Sequence, residues 1–172
     1  MSLLDLAKEI KQNFDPSKDK VGQSQVQRIP AGEYEIVIKD AGFYLSDRSG
    51  WEQVVVDCEI LNGDFAKRVE RVTFSFIEEW NGKPIPKFVL ERSMKYAQKL
   101  AFIADYRWKN ADFEDTRTVA EALKNVIGTE MLLTIIETEN KKDPSNPYRS
   151  YEFEPNITSE SAFELTEDDV PF

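Results

Sequence analysis

Apolar and polar side chains alternate in five stretches of the chain, and this alternation predicts five β-strands. In the second stretch Val54, Val56 and Ile60 fall on one face, whereas Gln53 and Asp57 fall on the other. This pattern is typical of a strand with one face in a hydrophobic core. The predicted strands cover residues 33–40, 51–61, 67–77, 129–138 and 148–154.

Three further stretches carry apolar residues at intervals of three and four, which is helical spacing. The first is a short amphipathic segment with Leu3, Leu6 and Ile10 on one face. Such a helix is marginal on its own, so it needs a surface to pack on. Either the folded domain or a second copy of the chain, in a homo-oligomer, would supply that surface. The predicted helices cover residues 3–14, 87–105 and 118–126.

Turn-forming residues separate these elements. The connection of residues 41–50 is rich in Gly, Ser and Asp, Asn62-Gly63 marks a turn, and Asn81-Gly82 breaks the chain before the longest helix. The resulting order is three strands, a helical segment and two strands. This is the element order of the OB-fold, a five-stranded Greek-key barrel. A five-stranded sandwich covered by one helix has the same element order.

Composition divides the chain into three parts. Residues 1–29 contain the first helix and a polar arm, residues 30–155 form the OB-fold domain, and residues 156–172 form a flexible, disordered acidic tail without hydrophobic periodicity. A chain of 172 residues with 41% hydrophobic residues fits one folded domain. Its apolar runs are too short for a transmembrane helix and no signal peptide opens it, so we expect no membrane partner.

Histidine is absent and Cys58 is the single cysteine. These counts exclude an intrachain disulfide framework, a Cys/His zinc site and the catalytic triads that use histidine. Cys58 lies in an apolar strand pattern, where we interpret it as a buried hydrophobic residue of a protein from a reducing cytosol. Because there is also no glycine-rich phosphate loop, we predict that the protein is not an enzyme and needs no cofactor.

Carboxylates are the remaining candidates for catalysis. The pair Glu78-Glu79 could bind Mg²⁺, and Asp57, Glu59 and Glu70 could form the centre of a metal-dependent nuclease. We favour solvated surface charge for these residues and therefore predict no metal site.

The net charge of −10 is distributed unevenly. The chain has 32 acidic residues and 22 Lys or Arg, and seven of the acidic residues lie in residues 152–172, which contain no Lys or Arg. The preceding part therefore has 25 acidic residues against 22 basic ones. This distribution indicates a functional acidic tail on a domain that is only mildly acidic.

Aromatic and basic residues follow the strands and connections that would line an OB-fold groove. Exposed rings stack on bases, and Lys and Arg neutralise phosphates, which is how single strands are bound. Packing roles are the alternative, in which Trp51 closes the end of the barrel and Trp80 packs on the helix. The candidate DNA-binding residues are Tyr44, Arg48, Trp51, Lys67, Arg68, Arg71, Trp80, Lys141, Lys142, Tyr148 and Arg149.

The last residues combine an acidic run with an apolar end. Asp168 and Asp169 precede Val170, Pro171 and Phe172. A phenylalanine at the end of a flexible segment can enter a small hydrophobic pocket, and acidic residues before it complement a basic rim. We interpret these five residues as a partner-binding tip.

This tip resembles that of bacterial-type single-stranded-DNA-binding proteins, which ends in acids, an aliphatic residue, proline and phenylalanine. In that family an OB-fold binds the strand and the tip recruits replication, recombination and repair enzymes, so the resemblance implies the same role here. The segment Pro30-Ala31-Gly32-Glu33-Tyr34-Glu35, with Asn62-Gly63 and Gly128, is similar to a phage-encoded family of small replication-region proteins. The short linker before the tip and the N-terminal helix depart from the bacterial pattern.

These patterns together predict a bacteriophage protein that binds single-stranded DNA with little sequence preference. It would act in DNA replication or recombination in the cytoplasm of a bacterial host, with the tip recruiting partner proteins. The alternative is an interaction adaptor that uses the tip but binds no DNA. Salt-dependent affinity for single strands separates the two functions, because an adaptor would lack it.

Overall fold

A computed structural model describes residues 2–17 and 28–156, and its centre is a five-stranded antiparallel sheet. The strands β3, β2, β1, β6 and β7 lie side by side in that order, and β4 pairs with β5 in a separate hairpin. The strands are β1 (Gly32–Leu45), β2 (Glu52–Ile60), β3 (Val69–Phe74), β4 (Glu79–Trp80), β5 (Lys83–Pro84), β6 (Glu130–Thr138) and β7 (Tyr148–Pro155).

Three α-helices are found in the described residues, each at a position that the apolar spacing predicts. Two of them, α2 and α3, contribute buried residues to the core, whereas α1 contributes none. None of these helices is long and apolar enough to cross a lipid bilayer. The helices are α1 (Leu3–Asn13), α2 (Lys87–Ile103) and α3 (Thr116–Leu123), with 3₁₀ turns at Asn110–Phe113 and Lys124–Val126.

A β-bulge makes β1 longer than its sequence pattern predicts. The register with β2 shifts between Ile38 and Asp40. Before the shift Ile36 and Ile38 face the core, and after it Ala41 does, so the inward positions change from even to odd numbers. The alternation stops at the bulge, and for this reason the sequence pattern wrongly ends the strand at Asp40. The first half of the expected ten-residue connection of residues 41–50 is therefore strand.

One hydrophobic core lies between the inner face of the sheet and the helices α2 and α3. The prediction for β2 is confirmed, because Val54, Val56, Cys58 and Ile60 are all buried on one face. Burying one such aliphatic side chain contributes on the order of 2 kcal/mol to stability. The other large buried side chains of the core include Ile36, Ile38, Leu100, Leu123, Met131, Leu133, Ile135 and Phe153.

The apolar stripe of α1 remains exposed. Ser2 caps this helix, and its hydroxyl accepts a hydrogen bond from the Asp5 N–H at 3.1 Å. Leu3, Leu6 and Ile10 are exposed, and none of the residues of α1 is buried. The helix is therefore at its predicted position, but residues 28–156 do not supply the surface that its apolar stripe needs.

The two edge strands of the sheet, β3 and β7, meet through side chains. Arg149 on β7 places one terminal guanidinium nitrogen 2.7 Å from Oε1 of Glu70 on β3, and the Tyr151 hydroxyl donates to the same oxygen at 2.7 Å. The other terminal nitrogen of Arg149 lies 3.1 Å from Oε1 of Glu137 on β6 and donates to the Ile29 carbonyl oxygen. We call Glu70, Arg149 and Tyr151 the edge bridge.

The charged pair of the edge bridge, Arg149 and Glu70, is largely buried. The Arg149 side chain is only 5% exposed, and a buried charge requires paired partners because its hydration is lost. Burial has the largest influence on the pKa of Arg149, and it acts to lower this pKa because it disfavours the charged form. The hydrogen bond to Glu70 and the nearby carboxylates nevertheless raise the pKa of Arg149 above its ordinary value. Burial and the bond to Glu70 also raise the pKa of Tyr151. The bridge is therefore an ionic pair completed by a neutral tyrosine.

The protein is mixed α/β, with a five-stranded antiparallel sheet whose strands occupy the predicted positions. Between residues 28 and 156 no backbone ladder joins β3 to β7, so the sheet does not close into a hydrogen-bonded barrel. The hairpin of β4 and β5 is an addition that the pattern does not predict.

We expect Glu70→Ala to lower the free energy of unfolding by about 3 kcal/mol, because it leaves a buried guanidinium with Glu137 as its one carboxylate partner. Urea denaturation would measure this loss. The matched control is Glu91→Ala, which removes the exposed pair between Glu91 and Lys87 and should cost less than about 0.5 kcal/mol. Equal losses in the two variants would contradict a structural role for the edge bridge.

Candidate nucleic-acid interface

The β1–β2 connection places Trp51 at one end of the sheet. The Ser46 N–H donates to the Trp51 carbonyl oxygen at 2.9 Å, and the Gly50 N–H donates to the Ser46 carbonyl oxygen at 2.8 Å. Gly50 has a φ of +73°, a left-handed conformation that glycine adopts without strain. The connection is therefore a short hydrogen-bonded turn, and it fixes the backbone at the start of β2.

The hairpin of β4 and β5 brings Trp80 onto Trp51. Asn81 and Gly82 have φ values of +53° and +77°, the signature of the tight Asn-Gly hairpin turn. Trp80 is directly opposite Lys83 in this hairpin. The two tryptophan rings lie 4.9 Å apart at 88°, an edge-to-face arrangement that stabilises aromatic pairs. Two residues that are far apart in sequence therefore form one partly buried aromatic cluster.

A groove of about 290 Å³ opens beside this tryptophan pair. Its floor includes Gln53 and Thr73 from the sheet, and its far wall includes Arg92 and Tyr96 from α2. Tyr151 of the edge bridge also lines it. The groove therefore contains hydrogen-bonding, aromatic and cationic groups together. We call it the tryptophan groove.

A second groove of about 540 Å³ runs between α2 and β7. Lys95, Lys99 and Phe102 line its helical side. Arg92, Tyr96 and Tyr151 line both grooves, so the two are adjacent. Tyr96 also ties the helix to the strand, because its hydroxyl accepts a hydrogen bond from the Tyr151 N–H at 3.1 Å. We call the second groove the α2 groove.

Tyr44 and Arg48 lie at the same end of the sheet as Trp51. Tyr44 is exposed and pairs in register with Gln53, which lines the tryptophan groove. Arg48 is exposed in the β1–β2 turn. The structure thus brings Tyr44 and Arg48 close to the tryptophan groove, although neither of them lines it.

Three predicted basic residues lie on or before β3, away from Trp51. The Lys67 N–H donates to the Ile60 carbonyl oxygen at 2.7 Å, which places Lys67 and Arg68 at the far end of β2. Arg68 stacks over the Phe65 ring at 5.6 Å. Arg71 donates to both carboxylate oxygens of Asp57, at 2.8 and 3.1 Å, and this bond raises the pKa of Arg71. Its charge is therefore largely neutralised.

Lys141, Lys142 and Tyr148 lie in the connection between β6 and β7 or directly after it, and all three are exposed. Asn140 holds this loop, because its side-chain oxygen accepts a hydrogen bond from the Lys142 N–H at 3.1 Å and its amide donates to the Asn146 carbonyl oxygen at 3.0 Å. None of the three predicted residues lines either groove.

The placement of Arg149 corrects its predicted role. Its side chain is buried in the edge bridge, with carboxylates from β3 and β6 at its two terminal nitrogens. A phosphate could reach it only by displacing these partners. Although Arg149 lines the floor of the tryptophan groove, we assign it a structural role and remove it from the proposed DNA contacts.

The sequence analysis overlooked the exposed face of α2. Phe88, Arg92, Lys95, Lys99 and Phe102 follow one another at intervals of four and three residues, which places them on one narrow stripe of the helix. The sequence analysis used only the apolar positions of this helix that face the core. The same spacing, applied to the polar side, would have revealed the stripe.

The structure separates the carboxylates that the nuclease hypothesis requires. Asp57 is bound by Arg71, Glu59 lies 3.6 Å from the Lys39 ammonium, and Glu70 belongs to the edge bridge. Across residues 2–17 and 28–156, no group of three acidic or cysteine side chains is placed to hold a metal ion. Each of these three carboxylates is therefore engaged by a different cation.

The predicted partner-binding residues Asp168, Asp169, Val170, Pro171 and Phe172 lie outside the described residues. The chain matches no protein-family model, and it matches no curated protein in sequence.

We expect Cys58 to be inert in the folded protein. It is completely buried, and this burial, with the nearby charges of Asp57 and Glu70, raises the pKa of its thiol. Because the thiolate is the reactive form, an aromatic disulfide reagent at about pH 8 should not label the native chain. Labelling should become complete in concentrated urea. Fast labelling without denaturant would contradict the burial of this residue.

Proposed function

We propose that this protein binds single-stranded DNA with little sequence preference, and that the tryptophan groove holds part of the strand. The observation that carries the proposal is Trp51, which lines a groove together with Arg92 and packs against the ring of Trp80. Aromatic faces stack on any base, and a cation beside them binds the phosphates. The hairpin and the β1–β2 turn hold both rings in place before the ligand arrives, which lowers the entropic cost of binding.

We also propose that the fold is of the OB type. Five long antiparallel strands, a helical segment between the third and the fourth, and two edges that meet only through side chains are consistent with a partly open Greek-key barrel. In OB-folds the first and last connections between strands flank the bound strand. Those connections here contain Arg48 in the first, and Lys141 and Lys142 in the last.

We expect Trp51→Leu and Trp80→Leu each to weaken binding of fluorescein-labelled oligo-dT by about tenfold, because a base–aromatic stack contributes ~1–3 kcal/mol. Fluorescence anisotropy would measure the affinities. The control is Trp108→Leu, since the third tryptophan lines neither groove and packs against Tyr106 and Phe113 instead of the Trp51–Trp80 pair. Thermal melting would confirm that each variant is folded at the temperature of the assay.

The wild-type titration at two salt concentrations tests the proposed function itself. Affinity should fall as salt increases, and duplex DNA of equal length should compete poorly. The absence of binding at low salt would reject DNA binding and favour the adaptor, which uses the tip and contacts no DNA. Equal loss of affinity in all three tryptophan variants would retain the function but reject the tryptophan groove as its site.

We further propose that residues 168–172 recruit a replication, recombination or repair protein of a bacterial host cell. The acidic run and the following apolar residues support this proposal. Immobilised peptides of residues 160–172, with and without Phe172→Ala, would be compared for the bacterial proteins that they retain. We expect retention of DNA-processing enzymes to depend on Phe172. Identical sets of retained proteins would contradict a specific role for the tip.

A further inference from the structure

The exposed face of α2 combines aromatic rings and cations in one line. Phe88 and Phe102 are 68% and 69% exposed, unusually high for large apolar side chains on a helix that packs on a core. Between them lie Arg92, Lys95 and Lys99 on the same stripe. At ~1.5 Å per residue the stripe extends about 21 Å from the first ring to the last. We call these five residues the α2 stripe.

The cations of the α2 stripe are largely uncompensated. Within the residues that the structure describes, no carboxylate lies within ion-pair distance of Arg92 or Lys95. Lys99 lies 3.8 Å from Glu152, and both side chains of that pair are about half exposed. Exposed pairs of this kind contribute little and exchange readily for another anion. The stripe therefore presents two free cations and a third that is weakly held.

The α2 groove adjoins the tryptophan groove, and Arg92, Tyr96 and Tyr151 line both. Trp51 lines the first groove, whereas Lys95, Lys99 and Phe102 line only the second. A linear polyanion that occupies the tryptophan groove therefore has further cations within reach in the neighbouring groove.

We propose that single-stranded DNA leaves the tryptophan groove at Arg92 and continues along the α2 stripe. Lys95 and Lys99 bind successive phosphates, and Phe88 and Phe102 stack on bases. This inference rests on the proposed function and extends its site from the sheet to the helix. It also gives a reason for the exposure of the two phenylalanine rings, which core packing and charge do not explain.

Nucleic acid fits the stripe better than an acidic peptide does. An acidic peptide would bind the cations, but its acidic side chains offer no flat group to stack on the rings of Phe88 and Phe102. A single strand carries a charge and a flat aromatic group in every nucleotide, so it matches an alternation of cations and rings. The test below therefore includes a result that would identify an acidic peptide as the ligand of the stripe.

The test compares two charge variants of the full chain that remove the same number of cations. The first is Arg92→Gln/Lys95→Gln/Lys99→Gln. The control removes Arg107, Lys109 and Lys124, which are exposed but line neither groove. With an oligo-dT of about 20 nucleotides, longer than the ~4–16 nucleotides that one OB-fold covers, we expect the first variant to lose roughly tenfold in affinity at 0.1 M salt. The slope of log affinity against log salt should become shallower by about 2, and the control should change neither quantity by this much.

A second measurement locates the strand directly. Oligo-dT in which iododeoxyuridine replaces some thymidines would be photocrosslinked to the wild-type chain, and the linked peptides would be identified by mass spectrometry. We expect links to Phe88 or Phe102 in addition to Trp51 or Trp80. Phe102→Ser should abolish the link at that position and weaken binding roughly fivefold or more.

The outcomes distinguish this inference from the proposed function. If the wild-type chain binds no oligo-dT, both fail together. If it binds and crosslinks through the tryptophans alone, and the two charge variants behave alike, the function stands and the α2 path is overturned. If the first variant leaves DNA binding unchanged but loses binding of a Glu-rich peptide, the stripe is a docking surface for an acidic protein segment, and the α2 path is also overturned.

Discussion

A single buried cation, Arg149, holds the two edges of the sheet together. Its guanidinium is nearly inaccessible to water, so its charge is tolerated only because Glu70 from β3 and Glu137 from β6 lie within 2.7 and 3.1 Å. By bringing β3 and β7 together, the ion pair leaves less room for another chain to pair with either edge strand. The ionic bridge thus joins the sheet edges where backbone hydrogen bonds do not.

Both grooves depend on this closure, because Tyr151 belongs to the edge bridge and lines each of them. Its hydroxyl is bound to Glu70 and its backbone N–H to the Tyr96 hydroxyl, so one residue connects β3, β7 and α2. Moving β7 away from β3 would shift Tyr96 and change the surface that both grooves share. The interaction that joins the two sheet edges is therefore also the one that positions the candidate site.

Local periodicity predicts the elements of this fold well and their connections poorly. The inward face of β2 follows strict alternation, and all four predicted residues are buried. In β1 strict alternation fails after Ile38, because the extra residue of the bulge reverses which positions face the core. The contact between Trp51 and Trp80 and the burial of Arg149 depend on a hairpin and on partners distant in sequence. No local pattern contains that information, so the sequence pattern predicts a DNA contact at Arg149 where the structure has a buried ion pair.

The mildly acidic composition of the domain does not argue against a polyanionic ligand, because local charge decides where an anion binds. On the sheet, Arg71 and Lys39 are paired with Asp57 and Glu59, so this part of the surface offers little net positive potential. On α2, Arg92 and Lys95 have no carboxylate partner among residues 2–17 and 28–156, and they line a groove whose low-dielectric walls strengthen their field. Single-stranded DNA bound at Trp51 would therefore gain more electrostatic binding energy along α2 than across the paired charges of the sheet.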